Sequence, residues 1–145
     1  MKFDRQTSAG YLVNHMARLF AEELRKRIAP LGIVPGQFPA LLVLWEQDGL
    51  TQKQILELVA IEQATLANTL TRMERDGLIV RKEHSADARA RTIHLTKKAR
   101  SIRDAAYKAA NETNQAALEG MSQEDRDAFL GLMRRTIEKI QKDQN

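Results

Sequence analysis

Two helical patterns lie back to back in this chain with almost nothing between them. Thr51-Gln52-Lys53-Gln54 has capping-box form, a hydroxyl followed three residues later by an amide, and Ile55, Leu56 and Leu58 supply the apolar positions behind it. After Val59-Ala60-Ile61, a second pattern runs from about Glu62 to Asp76 with Leu66, Leu70 and Met73 on one face, and Gly77 supplies the stop. Helices joined by so few residues must turn sharply, which restricts the pair to a helix-turn-helix.

The flanking segments limit the fold further. Leu78-Ile79-Val80-Arg81-Lys82-Glu83 and Arg91-Thr92-Ile93-His94-Leu95 read as strands, with Leu78/Val80 and Ile93/Leu95 at period two, so residues 84–96, "HSADARARTIHLT", hold the loop and return strand of a hairpin. Upstream, Leu12, Met16, Leu19, Phe20 and Leu24 mark a long amphipathic helix over residues 8–29. Pro30, Gly32, Pro35 and Gly36 interrupt the pattern, and a short helix follows over residues 37–48. Downstream, an alanine-rich helical segment reaches about Glu119, and a last helix opens at Ser122 with Phe129, Leu130, Met133, Ile137 and Ile140 as its stripe. The expected fold is mainly α: a winged helix-turn-helix with a two-stranded β-hairpin wing, flanked by N- and C-terminal dimerisation helices. Residues 35–96 would form the central region, and residues 1–34 with 97–145 the helical dimerisation region. Such a small central unit cannot cover both broad apolar helices, so a second copy of the chain is the expected cover. Ala105, Ala106, Ala109, Ala110, Ala116 and Ala117 would permit close helix approach there, or reflect helix propensity alone.

Composition removes several function classes. The chain has no cysteine, so disulfides, thiolate nucleophiles, cysteine-based zinc sites and thiol redox switches are excluded. No run of eighteen apolar residues and no signal-peptide core occurs, which leads to the expectation of a soluble cytoplasmic protein without membrane contact. Gly-rich phosphate loops, Gly-x-Ser-x-Gly and His-Glu-x-x-His are missing, so no enzyme activity and no cofactor is expected. Charge is uneven: between Arg72 and Arg103 ten basic residues face four acids, whereas the rest of the chain carries thirteen basic and fifteen acidic residues. A basic segment on a faintly acidic chain is suited to a polyanion, although a solvated helix face has the same composition.

The residue types on the second helix of the pair fit duplex DNA. A helix about 10–12 Å across enters the major groove. The amides of Gln63 and Asn68 can pair with adenine, Thr65 and Thr69 offer a hydroxyl or a methyl, and Arg72 can reach a phosphate or guanine. Thr51 and Gln52, opening the preceding helix, are assigned to the same surface. The hairpin carries Asp87, Arg89 and Arg91; an arginine on a projecting finger suits a minor groove, with the aspartate orienting a guanidinium. A metal site is not expected, because His84 and His94 would have only Asp87 as a third ligand.

The stretch "QATLANTLTRMERDGLIVR", followed by "DARA" and "IHLT", resembles the MarR (multiple antibiotic resistance regulator) family of transcription factors, and helix order and length extend the likeness over nearly the whole chain. The resemblance implies a homodimer held by the first and last two helices, acting on a pseudo-palindromic operator, usually as a repressor. It places the wing arginine on Arg89 and its acidic partner on Asp87. It also implies release of DNA by a small anionic, aromatic or phenolic acid bound near helices one, two and five, for which His15, Arg18 and Trp45 are the candidate residues. The chain departs from the family at Ala67-Asn68, where a Thr-Arg pair is common, and at Met73, Ala88 and Ala99. Base preference therefore does not carry over. The rival expectation is a winged helix that binds protein and never touches nucleic acid.

Overall fold

The computed structural model describes the backbone of residues 1–84 and 87–145 and the side chains of 1–83 and 90–145. The first helix, α1 (Ala9–Ile28), starts where the Ser8 hydroxyl accepts the Tyr11 N–H at 3.3 Å. Two short 3-10 turns, Ala29–Leu31 and Pro35–Gln37, lead into α2 (Phe38–Glu46). The capping box forms as expected at the head of α3 (Gln52–Leu58): Gln54 N–H donates to Thr51 Oγ1 at 3.2 Å, and Thr51 N–H donates to Gln54 Oε1 at 2.9 Å. The next helix, α4 (Gln63–Arg75), ends at Asp76 and at Gly77, whose φ of 74° continues the chain out of the helix.

The sheet has one strand more than the hairpin reading allows. β2 (Ile79–His84) and β3 (Asp87–Leu95) pair antiparallel, and β1 (Leu50–Thr51) adds to the other edge of β3 with Leu50 opposite Ile93 and Thr51 opposite Thr92. Two residues have no detectable period, so β1 left no mark in the sequence pattern. The strand parity of β2 also differs from expectation. Ile79, opposite Leu95, is 1% exposed, whereas Val80 is 42% exposed. Leu78 is buried as well, but it precedes the strand, so the pair Leu78/Val80 does not line one face.

The core joins all these elements. Leu41 and Leu44 of α2, Ile55 of α3, Leu66, Leu70 and Met73 of α4, and Ile93 and Leu95 of β3 form one buried cluster with Ala106 and Ala109. Those two alanines lie on α6 (Arg103–Ala117), which runs along α1, so their small size is used inside the chain. The alanine-rich segment is broken: α5 (Lys97–Ser101) precedes α6, and at the break the Ser101 hydroxyl donates back to the Lys98 carbonyl at 2.7 Å. Such back-bonding competes with the helix ladder. The last helix, α7 (Gln123–Gln144), contains no buried residue.

Trp45 is locked in this core. Its Nε1 donates to the Ala99 carbonyl at 3.0 Å, and its ring meets Phe38 and Tyr107 edge-on at 6.0 and 5.5 Å. Replacing it by Phe keeps a ring and removes the donor, so Trp45→Phe is expected to lower unfolding free energy by about 1–3 kcal/mol. An unchanged urea midpoint would show that this bond contributes nothing.

Gly49 has φ of 78°, and a Cβ added there would meet His94 Cε1 at 3.1 Å. Gly77 has a similar φ but open space around the position. Gly49→Ala is therefore expected to cost about 1–3 kcal/mol from backbone strain, and more than Gly77→Ala because the imidazole must also give way. The reverse order of denaturation midpoints would refute the steric part of this account.

Candidate nucleic-acid interface

Burial of Leu66, Leu70 and Met73 fixes which residues α4 turns outward. Ala64, Asn68, Thr71 and Arg75 recur at spacings of four, three and four, and all are exposed, with Thr65 and Arg72 exposed beside them. Gln63 is exposed at the first turn. Thr69 is a correction: at 8% exposure it lies on the buried flank with Leu70 and has almost no surface to present to a base. Ala64, Thr71 and Arg75 share this exposed face and were not singled out by residue type, although their spacing is visible in the sequence. Thr71 Oγ1 donates to the Ala67 carbonyl at 3.0 Å, which uses its donor and leaves the oxygen only as an acceptor.

A shallow cleft of about 480 Å³ lies between the start of α3 and the sheet. Thr51 and Gln52 line it, as does Arg91, together with Lys53 and Arg81, two cations the sequence reading did not single out. Among the described residues the lining contains no acid. Arg81 is held from the side by Glu74, Nη1 to Oε1 at 3.8 Å, and Arg91 stands opposite Glu83 in the strand register. The side chains of His84, Asp87 and Arg89 fall outside the described residues.

His94 is explained without a metal. Its Nε2 lies 2.8 Å from Thr92 Oγ1 and its Nδ1 4.0 Å from Asp48 Oδ2, while Asp48 Oδ1 accepts the Leu95 N–H at 2.8 Å. These bonds tie the end of α2 to β3. Among the described residues no group of three or more metal-ligating side chains converges.

The expected effector trio does not assemble within the chain. Trp45 belongs to the core, and the cleft it borders is lined by Leu44, Asp48, Leu95, Arg100 and Arg103, without His15 or Arg18. Those two are exposed on the first half of α1, where His15 stacks edge-on against Tyr11 at 6.2 Å. A different concavity, about 360 Å³, opens between α1, α2 and α6; it is lined by Phe20, Leu24, Phe38, Leu42 and Ala110, with Thr113 and Asn114 as polar neighbours.

The far end of α4 is tied down by Asp76. Its carboxylate accepts from Arg75 Nε at 3.1 Å and from Gln37 Nε2 at 2.9 Å, and its carbonyl accepts Lys98 Nζ at 3.1 Å. The bonds from Arg75 first, and then from Gln37, hold this carboxyl below the usual aspartate range.

Comparison with known proteins identifies the family. The model of the MarR family matches residues 33–90, from the segment between the two 3-10 turns into β3. The organic hydroperoxide resistance transcriptional regulator of Bacillus subtilis (strain 168) is 35% identical over 96 residues, 66% of this chain and 64% of its own length, so the chain spans a little under two thirds of that relative. The transcriptional regulator HosA of Escherichia coli O157:H7 is 30% identical over 101 residues, 70% of this chain and 75% of its own. A solved structure of Bordetella bronchiseptica BpsR, described as the mechanism for regulation of its DNA binding by 6-hydroxynicotinic acid, shares the fold with a TM-score of 0.84 at 20% identity, covering 94% of this chain and 97% of that one. With a tightly connected helix pair, a basic flanking sheet and relatives of this identity and coverage, the chain belongs to the MarR family of transcriptional regulators.

Proposed function

We propose that the protein acts in the cytoplasm as a homodimeric repressor that reads a pseudo-palindromic operator and leaves it when a small aromatic or phenolic acid binds. The observation that carries this reading is the outward polar stripe of α4, together with a cleft between α3 and the sheet whose described lining is cationic. A helix with Thr65, Asn68 and Arg72 exposed supplies base-edge and phosphate partners. Lys53, Arg81 and Arg91 supply positive charge where a phosphate backbone would pass. Arg89, with Asp87, is assigned to the wing tip from the sequence. DNA reading falls to residues 35–96 and dimerisation to 1–34 with 97–145.

A second copy is supported by what the single chain leaves uncovered. Leu12, Val13 and Leu19 of α1 and Leu130, Leu132, Ile137 and Ile140 of α7 are each at least 40% exposed. Two copies related by a twofold axis would set their α4 helices about one duplex turn apart. For the effector we infer the α1/α2/α6 groove in place of the His15, Arg18 and Trp45 trio. It is apolar, of a size that takes a small ring, and polar at one end. Regulation of the structural relative BpsR by 6-hydroxynicotinic acid supports an aromatic acid as the class.

Selection of duplexes from a random pool, followed by fluorescence anisotropy on the winner, tests the reading. Asn68→Ala is expected to relax base preference at one position per half-site, by about 1–3 kcal/mol of discrimination. Arg91→Ala is expected to weaken every duplex alike and to reduce the salt slope by about 1. Thr69→Val is expected to change neither. Loss of sequence preference in Thr69→Val with none in Asn68→Ala would sink the assigned orientation of α4.

The oligomeric state has its own test. Sedimentation of the full chain is expected to give a dimer, and Leu132→Lys with Ile137→Lys is expected to shift it toward monomer while abolishing tight duplex binding. A monomer that binds the selected duplex as well as the unmodified chain would overturn the dimer reading.

A further inference from the structure

Gln37 sits where the groove and α4 come closest in connectivity. It closes the turn Pro35–Gln37, which packs against α1, α2 and α4. Its chain neighbours on both sides, Pro35, Phe38 and Pro39, line the α1/α2/α6 groove, yet its own side chain leaves the groove and donates to Asp76 at 2.9 Å. Gln37 is 4% exposed, and its amide is engaged at both ends, because Oε1 accepts the Val34 N–H at 3.2 Å. A buried amide cannot exchange such partners for water without cost.

Asp76 is just as constrained. Its N–H donates to the Arg72 carbonyl at 2.8 Å, so it belongs to the last turn of α4, and its side chain also holds Arg75. Arg72 and Arg75 are both on the exposed side of that turn. A movement of the Pro35–Pro39 wall must therefore either stretch the Gln37–Asp76 bond or carry the end of α4 with it. Two prolines fix φ at both ends of the wall and restrict how far local torsions can absorb the shift.

From this geometry we propose that Gln37, through its hydrogen bond to Asp76, is the positioning residue that couples occupancy of the groove to the placement of α4 on DNA. The inference rests on the DNA-and-effector reading above and adds the linkage between its two sites. The linkage is a hydrogen bond in which Gln37 donates and Asp76 needs only an acceptor oxygen.

A wedge in place of a ligand tests it as a thermodynamic cycle. Ala21 is exposed on α1 at the groove, so Ala21→Trp fills the mouth from one side; Leu42→Trp fills it from α2 and serves if the first variant does not fold. Duplex affinity is measured for each wedge in the unmodified chain, in Gln37→Leu and in Asp76→Asn. A wedge is expected to change affinity at least about fivefold in the unmodified chain, the low end of typical coupling between sites, and less than about twofold in Gln37→Leu. Asp76→Asn retains an acceptor and is expected to keep the wedge effect. Equal factors with and without Gln37, a wedge with no effect on the unmodified chain, or loss of coupling in Asp76→Asn would each overturn the linkage. Should the unmodified chain bind no selected duplex, the DNA reading fails by itself, and the linkage is then decided by hydrogen exchange. The wedge should speed exchange of the amides from Met73 to Leu78 in the unmodified chain and leave them unchanged in Gln37→Leu; equal rates in both would refute it.

Discussion

The rotation of α4 about its own axis is the constraint on which the rest of the molecule depends. Leu66, Leu70 and Met73 are each fully buried, and removing any one down to alanine would cost about 2–5 kcal/mol. Turning the helix by a single residue position would uncover this row and force Thr71 and Glu74, or Thr65 and Arg72, toward an apolar interior. No surface hydrogen bond, at about 1 kcal/mol, competes with that penalty. The apolar row therefore decides which polar side chains face out. Residue chemistry decides only what the outward face can recognise.

That division explains how much could be read from the sequence. The helix pair, its capping box and the stop at Gly77 were legible because each is written in local spacing. The inward row of α4 was equally plain. Thr69 was misplaced because its type suits a base contact, while its position, one residue from Leu70 and three from Leu66, puts it on the buried flank. The same emphasis on type overlooked Ala64, Thr71 and Arg75. β1 was illegible for another reason: Leu50 and Thr51 join the sheet through residues more than forty positions away, and two residues show no period. Val80 was assigned inward because Leu78 is apolar, but the strand begins one residue later, and a shift of one reverses every face. Trp45 showed only that an indole was present; that its N–H belongs to the Ala99 carbonyl depends on α5 returning across α2.

Burial is distributed unevenly along the chain, and this bears on assembly. Buried apolar residues run from Ile28 to Ala109, while α7, at 22 residues, contributes none. A helix of that length has little stability from propensity alone, since most helical stability in proteins comes from packing an amphipathic face. The stripe of Leu130, Ile137 and Ile140 is such a face without its counterpart in the same chain. In the proposed dimer the first half of α1 meets the same need. The two ends of the sequence would then be folded by association, and the middle by its own core.

The groove lies at the seam between these two modes of stabilisation. Its walls are α1 and α6, which continue toward the uncovered helices, and α2, which is anchored in the central core through Leu41, Leu44 and Trp45. A body inserted there pushes apart two parts that owe their stability to different partners, so the displacement need not disrupt either core. Among the polar bonds near that seam, the one from Gln37 to Asp76 leads from the groove wall to the last turn of α4. The bonds from Asp48 to Leu95 and His94 hold the opposite side, joining α2 to the sheet. A shift of α2 therefore has two routes outward, one to α4 and one to the sheet that carries the wing. The helix route passes through a buried amide, and the wing route through a half-exposed aspartate and histidine, where water can replace a lost partner. The first transmits displacement more faithfully because breaking it costs more.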